Sequence, residues 1–242
     1  MKKEAFELLR EAEQSWWYRG RALVIRAMLT RARIVAPLDP ILDFGAGFGG
    51  MYSELSRLSS DVYASEPDAD ARTVAAMRGY VSTYATDAEA LSKHYGLIGL
   101  FDVIEHIEDD KAFLLSLREA LTPEGVLAIT VPAFQFLWNE HDVVHQHFRR
   151  YNKRSLFRLL SDTGYESVTM SYWNTFLFIP AAAVRLLGRS GSSALGFSGF
   201  INTLVLVIVT IESKVLRFCS LPFGISLVVI ARKKNSVPTP EK

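Results

Sequence analysis

The alternation of apolar and polar positions divides the chain into a helical opening, a run of alternating strands and helices, and an apolar segment before a last strand. Lys3 to Glu13 carries Ala5, Phe6, Leu8, Leu9 and Ala12 at the spacing of one helix face. Trp16-Trp17-Tyr18 interrupts that pattern, and a second helix is predicted from Gly20 to Arg33, stopped before Pro37. From Pro40 the period changes. Short apolar runs predict strands at Ile41–Phe44, Asp61–Ser65, Tyr80–Ala85, Leu97–Ile104, Val126–Val131, Tyr165–Tyr172 and Ile225–Ala231. Between them the pattern predicts helices over Met51–Leu58, Ala69–Met77, Asp109–Leu121 and Lys153–Asp162. Asp109 and Asp110 complement the N-terminal dipole of the third, and Pro123-Glu124-Gly125 makes a turn before the fifth strand.

Such alternation predicts an α/β fold, a doubly wound and mostly parallel seven-stranded sheet with helices on both faces. A ligand then sits in the crevice beyond the carboxyl ends of the strands. The segment between the sixth and seventh strands is too long for a hairpin and too apolar for a free loop, so two helices are expected, Asn174–Leu187 and Phe200–Phe218. The expected organisation is an N-terminal helical cap over 1–36, an α/β core over 37–172 and an apolar helical insertion over 173–220. A final core strand over 221–234 and a disordered tail over 235–242, with Pro238 and Pro240, complete it.

With 242 residues the chain suits one α/β domain carrying an insertion. Its 27 Lys+Arg against 26 Asp+Glu leave a net charge of +1, which argues against a general nucleic-acid binder. One cysteine, Cys219, excludes an internal disulfide framework and fits a reducing cytoplasm; its apolar surroundings, Leu216–Leu221, predict an inert buried thiol. Met1-Lys2-Lys3-Glu4 leads into a charged amphipathic segment, so no secretory signal is expected. No charge occurs between Arg189 and Glu212, yet Ser190–Gly196 is small and polar. A spanning helix needs about 20 mostly apolar residues, so a true span is disfavoured.

The chemistry concentrates at the strand ends. Gly45, Gly47 and Gly50 match G-x-G-x-x-G, a turn in which glycines let a ligand approach the backbone closely. A tight turn without a ligand and a nicotinamide-dependent oxidoreductase both remain readings of that match alone. Asp43, two residues before the first glycine, would repel a pyrophosphate but suits the cationic aminoacyl end of S-adenosylmethionine. Glu66, in Glu66-Pro67-Asp68, offers a carboxylate for two ribose hydroxyls, which NAD enzymes share. Thr86-Asp87-Ala88 offers an acceptor for an adenine amino group.

Ile41-Leu42-Asp43-Phe44-Gly45-Ala46-Gly47-Phe48-Gly49 resembles the first motif of class I S-adenosylmethionine-dependent methyltransferases. Phe101-Asp102-Val103-Ile104-Glu105-His106-Ile107 resembles their fourth, and Leu121–Leu127 the segment leading into their fifth strand. The resemblance implies S-adenosylmethionine as cofactor, with contacts at Asp43, Gly45, Gly47, Glu66, Asp87 and Asp102, and at Ala46, Pro67 and Ala88 beside them. Ala46 stands where many such enzymes carry cysteine or another small residue. Ser15-Trp16-Trp17-Tyr18-Arg19-Gly20-Arg21, His141-Asp142, His147-Phe148-Arg149-Arg150-Tyr151 and Leu221–Gly224 are similar to segments of a bacterial methyltransferase subgroup. By that resemblance alone, Tyr18 and Arg19 cover the cofactor, while Trp16 reads as a staple to the sheet. A non-catalytic nucleoside-binding module is disfavoured by the Asp43, Glu66 and Asp87 set.

Methyl transfer needs alignment in a water-excluded pocket, and a general base only where the acceptor carries a proton. His106 follows the fourth strand; His141, His145 and His147 follow the fifth. His106, His141 and His147 are therefore candidate catalytic groups. The spacing H-x-x-x-H-x-H lacks partner cysteines or dense carboxylates, so no metal is expected. Arg149, Arg150 and Tyr151 are expected to bind an acidic acceptor, with the alternative of a solvated turn. The acceptor is expected to be a small or lipid-linked molecule taking the methyl on oxygen or nitrogen. The apolar insertion, with Arg185, Arg189, Lys214 and Arg217 near its helix ends, fits a lid, a peripheral membrane contact through 174–218 or a homodimer interface. The expected location is the cytoplasm, at the inner membrane face where that insertion meets lipid.

Overall fold

The structure, a computed structural model, describes residues 16–186 and 199–234. The helix expected over Lys3–Glu13 and the tail 235–242 lie outside the described residues. Continuous apolar runs become buried strands, as parallel sheets covered on both faces require. They are β1 (Ile41–Phe44), β2 (Val62–Ser65), β3 (Thr83–Tyr84), β4 (Tyr95–Phe101), β5 (Leu121–Pro132), β6 (Tyr165–Trp173) and β7 (Ser226–Lys233). One sheet takes the order β3-β2-β1-β4-β5-β7-β6. β1 to β5 run parallel, while β7 pairs antiparallel with β5 and β6. The doubly wound seven-stranded sheet expected from the sequence is present.

The helices are α1 (Trp16–Arg31), α2 (Tyr52–Leu55), α3 (Ala69–Ala76), α4 (Asp87–Ala90), α5 (Asp110–Ala120), α6 (Glu140–Val144), α7 (Lys153–Asp162), α8 (Phe178–Leu186) and α9 (Gly199–Leu216). Successive strand residues point to opposite faces and so feed two cores. Leu42, Phe44, Leu127 and Ile129 pack with Leu114, Leu117, Leu156 and Leu160 of α5 and α7. Ile41, Leu97, Val228 and Ile230 pack with Val24, Met28, Val205 and Val209 of α1 and α9. Asp43 shares the face of Ile41 and is turned towards α1.

Several local expectations change. Trp16-Trp17-Tyr18 is the first turn of α1, not an interruption. Trp16 is buried there, and Trp17 packs on Trp173 with ring centroids 5.1 Å apart, so packing outweighs weak helix propensity. β3 covers two residues, Thr83 and Tyr84, although Val81 N–H and the Ser82 carbonyl still bond to β2; Tyr80 lies before it and donates to Asp43. Pro123-Glu124-Gly125 lies within β5, at a register irregularity opposite Tyr95 and Leu97. Cys219 is exposed, not buried, because α9 ends at Leu216 and the thiol lies beyond its packed face. No helix among the described residues is long and apolar enough to cross a membrane.

α1 is fixed at both ends. Trp16 N–H donates to Asn202 Oδ1 of α9 at 2.9 Å, and Arg26 Nε donates to buried Glu54 of α2 at 2.8 Å. At the α1–α9 crossing a Cβ on Gly20 would lie 2.8 Å from Val209 Cγ1. That neighbour is short and β-branched and cannot swing aside. Gly20→Ala should therefore destabilise the protein by about 1–3 kcal/mol despite alanine's better helix propensity. Urea unfolding checks this, and an alanine variant at least as stable as the parent contradicts the close crossing.

Candidate active site

The carboxyl ends of β1, β2 and β4 meet around the glycine loop. Gly45 has φ +67°, and a Cβ there would lie 2.8 Å from Val103 Cγ2 beyond β4, so this position demands glycine. Gly47, at φ +54°, faces open space: a Cβ would meet nothing within 4 Å. Gly50 differs from its expected role, because its bare Cα accommodates the Tyr18 ring, 2.5 Å from where a Cβ would be.

Glu66 leaves β2 with its carboxylate oriented by backbone, Oε2 accepting from Gly47 N–H at 2.8 Å and Oε1 from Asp68 N–H at 2.9 Å. A backbone-held carboxylate beside an open glycine cradle fits the ribose of a nucleoside. Pro67 follows, its carbonyl accepting from Arg72 at 2.9 Å. Asp87 and Ala88 open α4 and are exposed, behind a Thr86–Glu89 capping box. Ala46 N–H is held by the Ser65 carbonyl at 3.0 Å, fixing the loop to β2.

Asp43 lies buried beneath this cradle and accepts from Tyr80 Oη at 2.5 Å. Burial pushes its carboxyl up to about 7, against the pull of Tyr80 and Arg21, with Glu66 adding to the rise. Asp102 ends β4 in the left-handed region, φ +59°, accepts from Thr130 Oγ1 at 3.1 Å and pairs with Arg21. Arg21 is buried, its guanidinium carbon 5.3 Å from the Trp17 ring centroid and 5.6 Å from that of Tyr18.

The Tyr18 ring lies against Gly50 of the glycine loop, but Arg19 does not join it. Arg19 is exposed and lines a groove with Arg26, Arg57 and Leu206, because it projects from the other side of α1. Arg21 takes the inward place. Its helical spacing from Trp17 and Tyr18 was the available signal.

The four histidines named from sequence converge at one lip. His106 closes a 3-10 turn over Ile104–His106, and its ring centroid lies 4.5 Å from that of His147. His141 lies 4.2 Å from His145 and 6.4 Å from His147. Partial desolvation against its neighbours lowers His106, although its side chain reaches solvent, and neighbouring His147 adds to the fall. Glu105, between Asp102 and His106 in the chain, was missed. It is fully buried, both carboxylate oxygens lack a hydrogen-bond partner, and burial with the nearby Asp102 charge pushes it well above the usual range.

The acidic-acceptor clamp expected of Arg149, Arg150 and Tyr151 is corrected, because each is committed internally. Arg150 is buried and grips Asp142 from Nε at 2.8 Å and Nη2 at 3.0 Å, with Nη1 on the Ala133 carbonyl at 3.2 Å. Arg149 pairs with Asp110 at 2.7 Å and donates to the Glu108 carbonyl. Tyr151 is buried and donates to Asp110 Oδ2 at 2.7 Å. Asp142 also lies 2.9 Å from His147 Nδ1. Burial raises the Asp142 carboxyl, but the hydrogen bonds from His147 and Arg150 hold it far below the usual range.

Sheet order, glycine cradle and oriented carboxylates together define a class I S-adenosylmethionine-dependent methyltransferase. The family model described as methyltransferase domain matches residues 16–170, more than half of the chain, and the chain belongs to that family. It is 33% identical over 98 residues to a ubiquinone biosynthesis O-methyltransferase of Cereibacter sphaeroides; the match covers 36% of this chain and 38% of that enzyme. The solved structure of the plantazolicin methyltransferase BpumL in complex with SAH shares the fold, with TM-score 0.56, 16% identity and coverage of 97% and 98% of the two chains. The [4+2]-cyclase SpnF shares it with TM-score 0.57 and 16% identity, over 89% of this chain and 82% of that one.

Arg150→Ala should leave Asp142 a buried charge without its main partner, at a cost of roughly 3–5 kcal/mol. Denaturant unfolding measures it. A variant of unchanged stability with a weakened affinity for an acidic acceptor would restore the clamp.

Proposed function

We propose that the chain transfers the methyl group of S-adenosylmethionine to an oxygen, or nitrogen, of a small or lipid-linked acceptor. The acceptor arrives at the lip formed by His106 and the His141–His147 segment, beyond the ends of β4 and β5. When bound, S-adenosylmethionine supplies an electrophilic methyl on a cationic sulfur. The cradle of Gly45, Ala46 and Gly47 would take its backbone-hugging part. Glu66 and Pro67 would border the ribose, Asp87 and Ala88 the adenine, and Asp43 and Asp102 the cationic aminoacyl end. Tyr18, Trp17 and Arg21 cover the same edge from α1 and would exclude water, which is what alignment in a displacement requires. The observation that carries this reading is Asp43, a buried carboxyl held near neutrality under an open glycine loop. A cationic ligand there lets Asp43 ionise, whereas a pyrophosphate would oppose its ionisation and bring a second buried negative charge, which disfavours the nicotinamide reading.

Support for oxygen as acceptor atom comes from the segment shared with an O-methyltransferase. Support for a lipid-linked acceptor comes from α9. Ile201, Leu204, Val207 and Ile211 form one exposed apolar face, followed by exposed Lys214, Arg217 and Phe218. An apolar stripe ending in cations suits an anionic membrane interface. Leu204→Glu with Val207→Glu should abolish co-flotation of the full-length chain with anionic vesicles. Unchanged flotation, or a wild type that stays in solution and dimerises through this face, rejects the membrane assignment.

Titration of S-adenosylhomocysteine by calorimetry tests the donor site. In the free protein Asp43 holds its proton up to pH about 7, whereas the unfolded chain has lost it from about 3.8. Stability contributed by this group therefore falls as pH rises between those values. A ligand ammonium favours the ionised carboxyl, so binding near pH 6 should release close to one proton, and above pH 8 close to none. Asp43→Asn should remove that release and weaken binding by about tenfold or more. Affinity untouched by this substitution, or tight NAD binding with none for S-adenosylhomocysteine, overturns the reading.

A further inference from the structure

Glu105 is the unexplained group of the molecule. A buried carboxylate with no donor is costly by several kcal/mol, and such groups carry a cation or a proton. Two guanidiniums are near, but Arg21 is engaged by Asp102 and Arg150 by Asp142, and neither donates to Glu105. Glu105 offers its oxygens instead towards two imidazoles: ligand atoms of Glu105, His106 and His147 all lie within 4.8 Å of one another. Donors around one ion at about 2.1 Å sit roughly 3–3.5 Å apart, so side-chain adjustment closes the set.

The outer groups are also arranged. Asp142, kept anionic by Arg150 and by Asn139 N–H at 2.9 Å, accepts the Nδ1 proton of His147. With Nδ1 engaged by that carboxylate, Nε2 is the ring atom left to face an ion. That carboxylate–imidazole arrangement fixes the tautomer of metal-ligating histidines. The histidine spacing by itself lacked a carboxylate, and the fold brings one from the end of β4.

We propose that Glu105, His106 and His147 bind one divalent transition ion of the zinc class at the acceptor lip, with its remaining positions open. Two imidazoles and one carboxylate favour such an ion over magnesium or calcium. The site's existence is independent of methyl transfer. Its use rests on the reading above, because an acceptor oxygen there would become a further ligand and be more easily deprotonated.

The test is calorimetric titration of Zn²⁺ into full-length, chelator-treated protein without donor or acceptor, with Co²⁺ absorption as a second readout. One equivalent should bind, with the intense visible bands of a low-coordinate Co²⁺ site. Glu105→Gln, His106→Ala and His147→Ala should each lower affinity by about 100-fold or more, against roughly 10–100-fold for an outer-shell change. His94→Ala, at the opposite edge of β4, should leave it unchanged. Circular dichroism identifies variants that fold, and exposed His106 gives the substitution least able to disturb the core. Absence of one-equivalent binding by the folded parent, or binding indifferent to a folded His106→Ala variant, overturns the site. Neither result touches donor binding, which the S-adenosylhomocysteine titration reads separately.

Discussion

The arrangement of the whole site depends on the guanidinium of Arg21. Asp43, Asp102 and Glu105 lie at neighbouring strand ends, and Arg21 is the cation that bears on all three. It forms an ion pair with Asp102, lowers Asp43 and lowers Glu105, yet it does not neutralise them all. Burial pushes Asp43 up to about 7 and raises Glu105 well above the usual carboxylate range. An edge with more carboxylates than cations is poor for a pyrophosphate and good for ligands that bring positive charge. The sulfonium and ammonium of S-adenosylmethionine are such ligands, and so is a divalent ion at Glu105.

Arg21 is in place only because α1 is. Its guanidinium rests between Trp17 and Tyr18 on one face of α1, while the far side of that helix carries Arg19. α1 in turn is set by α9 at the Gly20–Val209 contact and by α2 through Arg26 and Glu54. α2 follows the glycine loop directly. The apolar α9, the roof over the cofactor edge and the loop itself are therefore one packed unit.

The strands were readable because a parallel sheet covered on both faces needs continuous apolar runs, and Ile41–Phe44, Val126–Val131 and Ile225–Ala231 are such runs. α7 was readable to the residue, since Leu156 and Leu160 mark its buried face and Asn152 caps it. α4 and α6, four and five residues long, are too short to show a helical period. Only their capping boxes, Thr86 with Glu89 and Asn139 with Asp142, left a trace in the sequence. The donor cradle followed from local motifs, whereas pairing across the fold did not. Charge pattern shows that Arg149 and Arg150 are cations but not that Asp110 and Asp142 already hold them. Glu105 likewise looks like any carboxylate in a loop until its burial and lack of donors are seen.

Chemistry at the strand ends cannot be inherited from the fold, because the same fold serves a [4+2]-cyclase and the plantazolicin methyltransferase. What distinguishes this chain is local. Its lip joins four histidines and an unpartnered carboxyl, and the adjoining Asp142–Arg150 pair is buried where exposed ion pairs contribute little. A buried pair is weak evidence for stability, since apolar replacements often serve as well. Its value here is positional, because Asp142 sets the tautomer of His147, and His147 with His106 faces Glu105. Of the residues that resemble a substrate clamp in sequence, Arg150 thus acts one step further back, holding the Asp142 carboxylate that orients His147.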